Sequence, residues 1–348
     1  MEEQIYNDVS VENNFIGGNP MKRKYSVELS NLGNFTDRYM SCGYNDDRTV
    51  EELLQRAISI PKITGCELCG TWHITEQSAE AVGKMIKDSG LQLVSIIPDY
   101  FAQKKWGHGA FSANEPELRQ QAIRDTKIMM DICADLGGEI VTIWNGQDGY
   151  DYSFTTDYIE RRTWVQEGIK ECCDHRSDVK LSIEYKPREP KMRSFMTDAS
   201  TTLLMVNEIN RPNLGVTLDF GHSLMGIENP AEAAAILKMY GDKLFHCHVN
   251  DNYGYWDDDC IAGVIHPIET CEYLYWVKRL GYDSWFSFDQ YPYREDGRDA
   301  LEEGIEWIET LGAVADSLDD AEVDEIMKTQ DGVGFAKMIR EKMFKKLY

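Results

Sequence analysis

The chain has 348 residues and a formal charge of −24, from 60 acidic against 36 basic side chains. That field repels nucleic-acid phosphates and anionic membrane surfaces. Hydrophobic residues make up 42%, enough for a sizeable core, but no apolar run approaches the ~20 residues of a membrane span. Nine scattered cysteines, an odd number, point to reduced thiols in a cytoplasm and not to a disulfide framework.

Residues 1–22 are acidic and polar, without the basic end and apolar stretch of a signal peptide, and are expected to form a poorly ordered arm. Short β-type runs then alternate with longer helical ones. KYSVELS (24–30) precedes the helical TVEELLQRAISI, and GCELCG (65–70) precedes TEQSAEAVGKMIKDSG. LQLVSIIPD (91–99) leads to PELRQQAIRDTKIMMDICADLGG, and EIVTIWN (139–145) to TDYIERRTWVQEGIKECCDHR. VKLSIEY (179–185) and LGVTLDF (214–220) follow, then NPAEAAAILKMYGD, KLFHCHV (243–249), IETCEYLYWVKRLG and SWFSFDQ (284–290). Apolar residues at i, i+3, i+4 and i+7 mark the helices, and Gly90, Gly137 and Gly281 fall where three of them should stop. Cys66 and Cys69 form a C-x-x-C inside an apolar run with no second pair, which argues against zinc.

Eight strands alternating with about as many helices predict an α/β fold, a (β/α)8 TIM barrel over residues 23–315. A doubly wound open sheet would need a glycine-rich phosphate turn after its first strand, and NLGNFTDRYMS has none. Residues 316–348 read as a C-terminal helical extension of two helices, either a cap over the barrel bottom or an oligomer contact.

In such a barrel the C-terminal strand ends surround one cavity. Glu184, Asp219, His248 and Asp289 stand at the ends of strands five to eight. Buried carboxylates are costly to keep charged without a positive neighbour, so their convergence points to a divalent cation. Oxygen-rich ligation with one nitrogen suits Mn²⁺, Mg²⁺ or Co²⁺. Asp219, three residues before His222, could be shared with a second ion held by His222, Asp257 and Asp259. Taken singly, WDDDC also reads as an exposed acidic turn, and Glu184 with Lys186, on one face of a strand, as a structural ion pair.

The Glu-x-Lys-Pro of IEYKPREP, the Asp-x-x-His of LDFGH, the FHCHVND…DDD run and Asp289 resemble the metal-binding signatures of the xylose isomerase and L-rhamnose isomerase superfamily. The pattern is nearer to L-rhamnose isomerase and spans about residues 24–310. DYFAQKKWGHGAFSANEPELR and WNGQDGYDY resemble the loops after strands three and four. The resemblance implies an enzyme interconverting aldose and ketose forms of an unphosphorylated sugar, or an epimerase, with Mn²⁺ the preferred cation and one or two ions bound. Asp219 and His222 would then be catalytic with Lys186, which would donate a hydrogen bond to the substrate carbonyl. Trp144 and Trp106 would wall the substrate, with simple packing of its long loop an equal reading of Trp106. Where the isomerases carry a ring-opening histidine at the end of strand two, this chain has Cys69, with Trp72 matching a following tryptophan; His73 and His108 are the candidates to replace the histidine.

The same superfamily includes metal-dependent C-glycoside deglycosidases that work with a small partner subunit, and these need no ring-opening histidine. A homo-oligomer is expected for the isomerase. A non-catalytic sugar-binding protein would need neither a bridging carboxylate nor Lys186. An abasic-site endonuclease would need a basic groove that −24 opposes.

Overall fold

The computed structural model describes residues 21–344. Its centre is a closed barrel of eight parallel strands: β1 Lys24–Glu28, β2 Ile63–Cys69, β3 Gln92–Ile97, β4 Ile140–Trp144, β5 Lys180–Glu184, β6 Leu214–Asp219, β7 Leu244–Val249 and β8 Trp285–Phe288. Each strand pairs with its sequence neighbours, and β1 closes the ring by pairing with β8. All eight β-type runs therefore become barrel strands, in order.

The strand alternation explains why they do. Residues such as Val27, Leu68, Ile96, Ile143, Ile183, Leu218 and Phe288 are fully buried. They face outward, toward the helices. The other face of each strand points into the barrel and is polar. Ser26 bonds Ser287 at 2.8 Å, Ser95 bonds Thr142 at 2.8 Å, and Ser182 bonds Thr217 at 2.7 Å across neighbouring strands. These small hydroxyl residues fill the lower interior by pairing with one another. The next inward positions up the strands are Glu28, Glu184, Asp219, His248 and, just past β8, Asp289.

The flanking helices are α1 Val50–Ile58, α2 Ala79–Ser89, α3 Pro116–Asp135, α4 Tyr158–His175, α5 Ala199–Ile209, α6 Phe220–Met225, α7 Pro230–Met239, α8 Pro267–Arg279 and α9 Gly297–Asp316. Their ends follow capping chemistry. Thr49 and Glu52 form a reciprocal capping box on α1, and Asp157, Asn229 and Asp296 cap α4, α7 and α9. Gly90, Gly137 and Gly281 end α2, α3 and α8 with φ of 77°, 78° and 71°, a left-handed turn glycine adopts without strain.

Two further helices, α10 Asp320–Thr329 and α11 Gly332–Phe344, follow α9. They sit at the end of the barrel where strands begin: Tyr275 Oη donates to Asp320, Arg279 pairs with Asp324 at 2.7 Å, and Arg23, just before β1, pairs with Asp316 at 3.2 Å. Among the described residues no helix is long and apolar enough to cross a membrane. All nine cysteines are free.

Candidate metal centre and sugar-sized cavity

Strand register brings the four strand-end residues together. Asp219 is directly opposite His248, and Ser287 is opposite His248 from the other side, so Asp289 lies two residues up β8 on the same face. His248 is the hub. Its Nδ1 lies 3.2 Å from Glu184 Oε1, 3.5 Å from Asp289 Oδ2 and 4.0 Å from Asp219 Oδ2. Glu184, Asp219, His248 and Asp289 each offer one ligand atom, all within 4.8 Å of one another.

The chain leaves β6 directly into α6, and Asp219 is its N-cap: Oδ1 accepts from the His222 backbone N–H at 2.8 Å. The Asp-x-x-His spacing is thus a strand-to-helix turn that brings both side chains to one cluster, with His222 Nδ1 3.8 Å from Asp219 Oδ1 and 3.5 Å from Glu184 Oε1. Asn250 Nδ2 donates to the other Asp219 oxygen at 2.9 Å and to Asp259 Oδ1 at 3.2 Å.

Electrostatics show how crowded this centre is. Burial alone would lower the His248 imidazole, but the charges of Glu184 and Glu67 hold it well above its usual range. Burial pushes Asp219 up to about 6 despite the neighbouring His222, with Glu184 and Asp257 adding to the rise. His222 is raised to about 9 against its own burial, by Asp219 and then Asp257. Burial, then Asp257 and Asp289, push Asp259 well above the carboxylate range. His222 Nδ1, Asp257 Oδ1 and Glu28 Oε1 are buried with no hydrogen-bond partner. An excess of buried anions with orphaned atoms is the situation a cation relieves. Three carboxylates and one imidazole therefore fit an oxygen-preferring divalent ion.

The second expected donor set does not assemble. Asp257 Oδ2 is taken by Lys186 Nζ at 2.6 Å and by His222 Nε2 at 3.1 Å, while Asp259, at φ 45°, turns toward Asn250. Among the described residues, His222, Asp257 and Asp259 do not form a cluster of metal-binding spacing. Lys186, also 3.2 Å from Glu189, occupies that side of the site with its own positive charge. Burial opposes that charge, but Asp257 and then Glu189 hold the ammonium above its usual range.

Two residues that the sequence reasoning passed over stand beneath the centre. Glu67 on β2 and His246 on β7 are fully buried, and His246 Nε2 meets Glu67 Oε1 at 2.6 Å. Glu67 Oε2 lies 3.3 Å from His248 Nε2. Burial would raise the Glu67 carboxyl, but His246 and then His248 hold it well below its ordinary value. This arrangement anchors the His248 Nε2–H and leaves Nδ1, whose own hydrogen faces Glu184 and Asp289, as the nitrogen a cation would take in that hydrogen's place. Support of this carboxylate–imidazole kind would orient His248 toward a cation. A lone Glu in GCELCG and the alternate His of FHCHV are the signals that mark this pair.

The cluster opens into a cavity of about 790 Å³ lined by, among others, Trp72, His73, Trp144, Lys186, His222 and Tyr291. Trp72 and Trp144 both line this cavity. Trp106 and His108 do not line it. Trp106 is fully buried against Tyr100, ring centroids 6.2 Å apart, and His108 is exposed. The reason lies in Asp148, whose carboxylate accepts from Ala110 N, Ser112 N and Ser112 Oγ and folds that loop down onto the core. His73 reaches the cavity, but its Nδ1 accepts from Cys69 N–H at 2.9 Å and its burial lowers the imidazole to about 4. Its ring hydrogen is therefore on Nε2, a donor and not a base.

The structure resembles a 3-keto-D-glucoside 4-epimerase from E. coli with a TM-score of 0.66 at 15% identity, over 83% of this chain and 100% of that one. It also resembles a D-allulose 3-epimerase from Methylomonas sp., TM-score 0.65 at 13% identity, over 83% and 97%. In sequence it is similar to the xylose isomerase of Thermus thermophilus, 27% identical over 181 residues, which are 51% of this chain and 46% of the relative. The Thermus caldophilus xylose isomerase is 25% identical over 180 residues, 50% and 46%. The aligned stretch spans about half the length of these curated relatives. Residues 54–311 match the family described as xylose isomerase-like TIM barrel, and with most of the barrel inside that match, the chain belongs to this family.

Proposed function

We propose that this protein is a divalent-metal-dependent sugar isomerase or epimerase acting on an unphosphorylated sugar. The observation that carries the reading is the meeting of Glu184, Asp219, His248 and Asp289 within 4.8 Å at the strand ends, where Glu184 and Asp289 line a cavity of about 790 Å³. The names of the relatives, xylose isomerase and keto-sugar epimerases, support it.

Those four residues would hold the cation, with Mn²⁺ the first choice, and Mg²⁺ or Co²⁺ alternatives. When bound, a divalent ion supplies Lewis-acid polarisation of substrate oxygens. Lys186, fixed by Asp257 and Glu189, donates a hydrogen bond to the carbonyl oxygen and stabilises negative charge developing there. His222, held charged by Asp219 and Asp257 and with no hydrogen-bond partner at Nδ1, is the side chain that gives up a proton and takes it back. Trp144, with Lys186 Nζ 5.2 Å from its ring, excludes water on that side. No phosphate cradle is built into the motif set, and the overall charge disfavours phosphosugars.

A second reading, elimination of an aglycone from a keto-glycoside, is favoured by His73. With Nδ1 occupied by Cys69 N–H, it is not placed to remove a proton from a ring hydroxyl, as opening an aldose requires. The test is metal analysis of the purified protein followed by incubation with free aldoses, ketoses and keto-glycosides, with and without Mn²⁺. Stoichiometric metal and cation-dependent turnover of one class is the expected result. No bound metal and no conversion of any class would sink the proposal.

A further inference from the structure

The two halves of the barrel mouth are chemically different. The ligand cluster and Lys186 come from the ends of β5 to β8, whereas the tops of β2, β3 and β4 carry Trp72, Phe101 and Trp144, all lining the same cavity. These rings form a continuous wall. Trp144 meets Phe101 edge-on at 4.5 Å between centroids, and Phe101 meets Trp72 at 5.6 Å. Trp144 lies beside Lys186, and Trp72, 45% exposed, stands at the cavity mouth. The wall therefore runs outward from the reacting end in two ring-to-ring steps, each about the width of a pyranose.

The wall is held rigidly. The buried Asp99 carboxylate accepts from Thr71 Oγ1 at 2.6 Å, Ala102 N at 2.9 Å and Gln103 Nε2 at 3.0 Å, tying the loops after β2 and β3 to each other. Gln147, from the loop after β4, donates to Phe101 O at 3.1 Å. Three loops thus fix the rings before any ligand arrives, which lowers the cost of binding against them. A large aromatic left half-exposed at the mouth of a pre-formed pocket marks a binding surface. Asn34, Asp47 and Arg48, between β1 and α1, also line the cavity, whose volume of about 790 Å³ is more room than one sugar ring fills.

We infer that the substrate is a glycoside: its sugar sits on the Glu184–Asp289 cluster, and a second ring, linked through the anomeric position, lies on Phe101 and Trp72. The inference rests on the carbohydrate reading above and narrows it. A glycoside cannot open its ring, so aldose–ketose interchange gives way to epimerisation or elimination beside a ring carbonyl. That agrees with the occupied Nδ1 of His73.

The test is calorimetric binding to the full-length, Mn²⁺-loaded protein, comparing methyl and phenyl glycosides of one keto-sugar with the corresponding disaccharide and the free sugar. Either ring-bearing ligand should bind about tenfold tighter than the methyl glycoside, the scale of one aromatic contact with its apolar burial. Trp72→Ala should remove most of that preference, and Trp72→Leu, which keeps apolar volume, part of it. Phenyl preference over the disaccharide identifies an aromatic aglycone, and the reverse a second sugar; either supports the outer subsite. Equal affinity for methyl and ring-bearing ligands, or an unaltered preference in Trp72→Ala, overturns it while leaving the metal-dependent sugar reading intact. Failure of every sugar to bind overturns both.

Discussion

Replacing Glu67 by Gln tests whether the buried carboxylate beneath the centre sets the metal affinity. Gln keeps the volume but offers one acceptor and one NH₂ donor where the carboxylate offers two acceptors. Glu67 accepts from His246 Nε2 at 2.6 Å and from His248 Nε2 at 3.3 Å. In the variant one imidazole faces an NH₂ group and must move its hydrogen to Nδ1. If that is His248, Nδ1 must keep its hydrogen and can no longer offer a lone pair to a cation between Glu184 and Asp289. The 3.3 Å contact is long for N–H···O, so the lower end of the range for a charged hydrogen bond applies, ~1.5 kcal/mol. That corresponds to roughly tenfold in affinity, with ~100-fold the upper reach of such supporting contacts. The assay is calorimetric Mn²⁺ titration of wild type and variant, each shown to be folded by near-UV circular dichroism. A folded Glu67→Gln that binds Mn²⁺ within twofold of wild type refutes the orienting role of Glu67.

Asp219→Asn keeps an acceptor for the His222 N–H, so α6 should remain capped, yet bound metal should be lost and activity should fall ~10³-fold; full metal content and rate would remove Asp219 from the centre. Lys186→Met should lower kcat on the order of 10²-fold with metal still bound, and an unchanged kcat would end its assignment to the carbonyl oxygen. His73, 3.6 Å from Glu28 Oε1, gives a pH signature in stability. Burial sets its folded pKa at about 4 against 6.5 for the free side chain, so between these values the unfolded chain binds more protons. Stability from this group is intact above pH 6.5 and declines as pH falls to 4, by about 3 kcal/mol at the bottom. Urea melts of His73→Gln should show a shallower decline over that window, and parallel curves for variant and wild type would contradict the neutral buried imidazole.

The ligand positions were legible because they depend on strand order and period-two alternation, both visible in one sequence. Glu184, Asp219, His248 and Asp289 are simply the next inward residues at four consecutive strand ends. The same alternation would have exposed Glu67 and His246, since Ser26, Ser95, Thr142, Ser182 and Thr217 already trace a polar interior face. A single Glu between cysteines did not draw that reading. Loop residues were the opposite case. Whether Asp257 and Asp259 reach a common point depends on the backbone of the 250–260 turn, where Asp251 and Cys260 bridge and Asp259 takes a positive φ. Trp106 and His108 were misplaced because their loop is pulled inward by Asp148, whose partner backbone N–H groups are 36 to 38 residues away in sequence. Helices α5 and α9 were not among the stretches read as helical. The first carries four β-branched residues, Thr201, Thr202, Val206 and Ile209, among its eleven and depends on Asp198, which caps it by accepting from Thr201 N at 2.7 Å.

The departure at strand two and the aromatic wall have one physical explanation. The Cys69 backbone N–H binds His73 Nδ1, Gly70 N–H bonds Ile97 O at 2.7 Å, and Thr71 takes a φ of 61° while its hydroxyl reaches Asp99. That tight turn cannot present a basic imidazole nitrogen to the sugar, because the backbone has already used it. The same turn delivers Trp72 to the cavity mouth against Phe101. An imidazole whose Nδ1 is already occupied and an exposed tryptophan at the mouth are therefore two consequences of one local fold. A substrate that needs no ring opening and carries a second ring satisfies both, whereas a free aldose satisfies neither. Restoring a base at the inner end, for instance by Cys69→His, would then be expected to cost packing in β2 without conferring turnover of free aldoses; appearance of such turnover would show that the turn, and not the substrate, was the only obstacle.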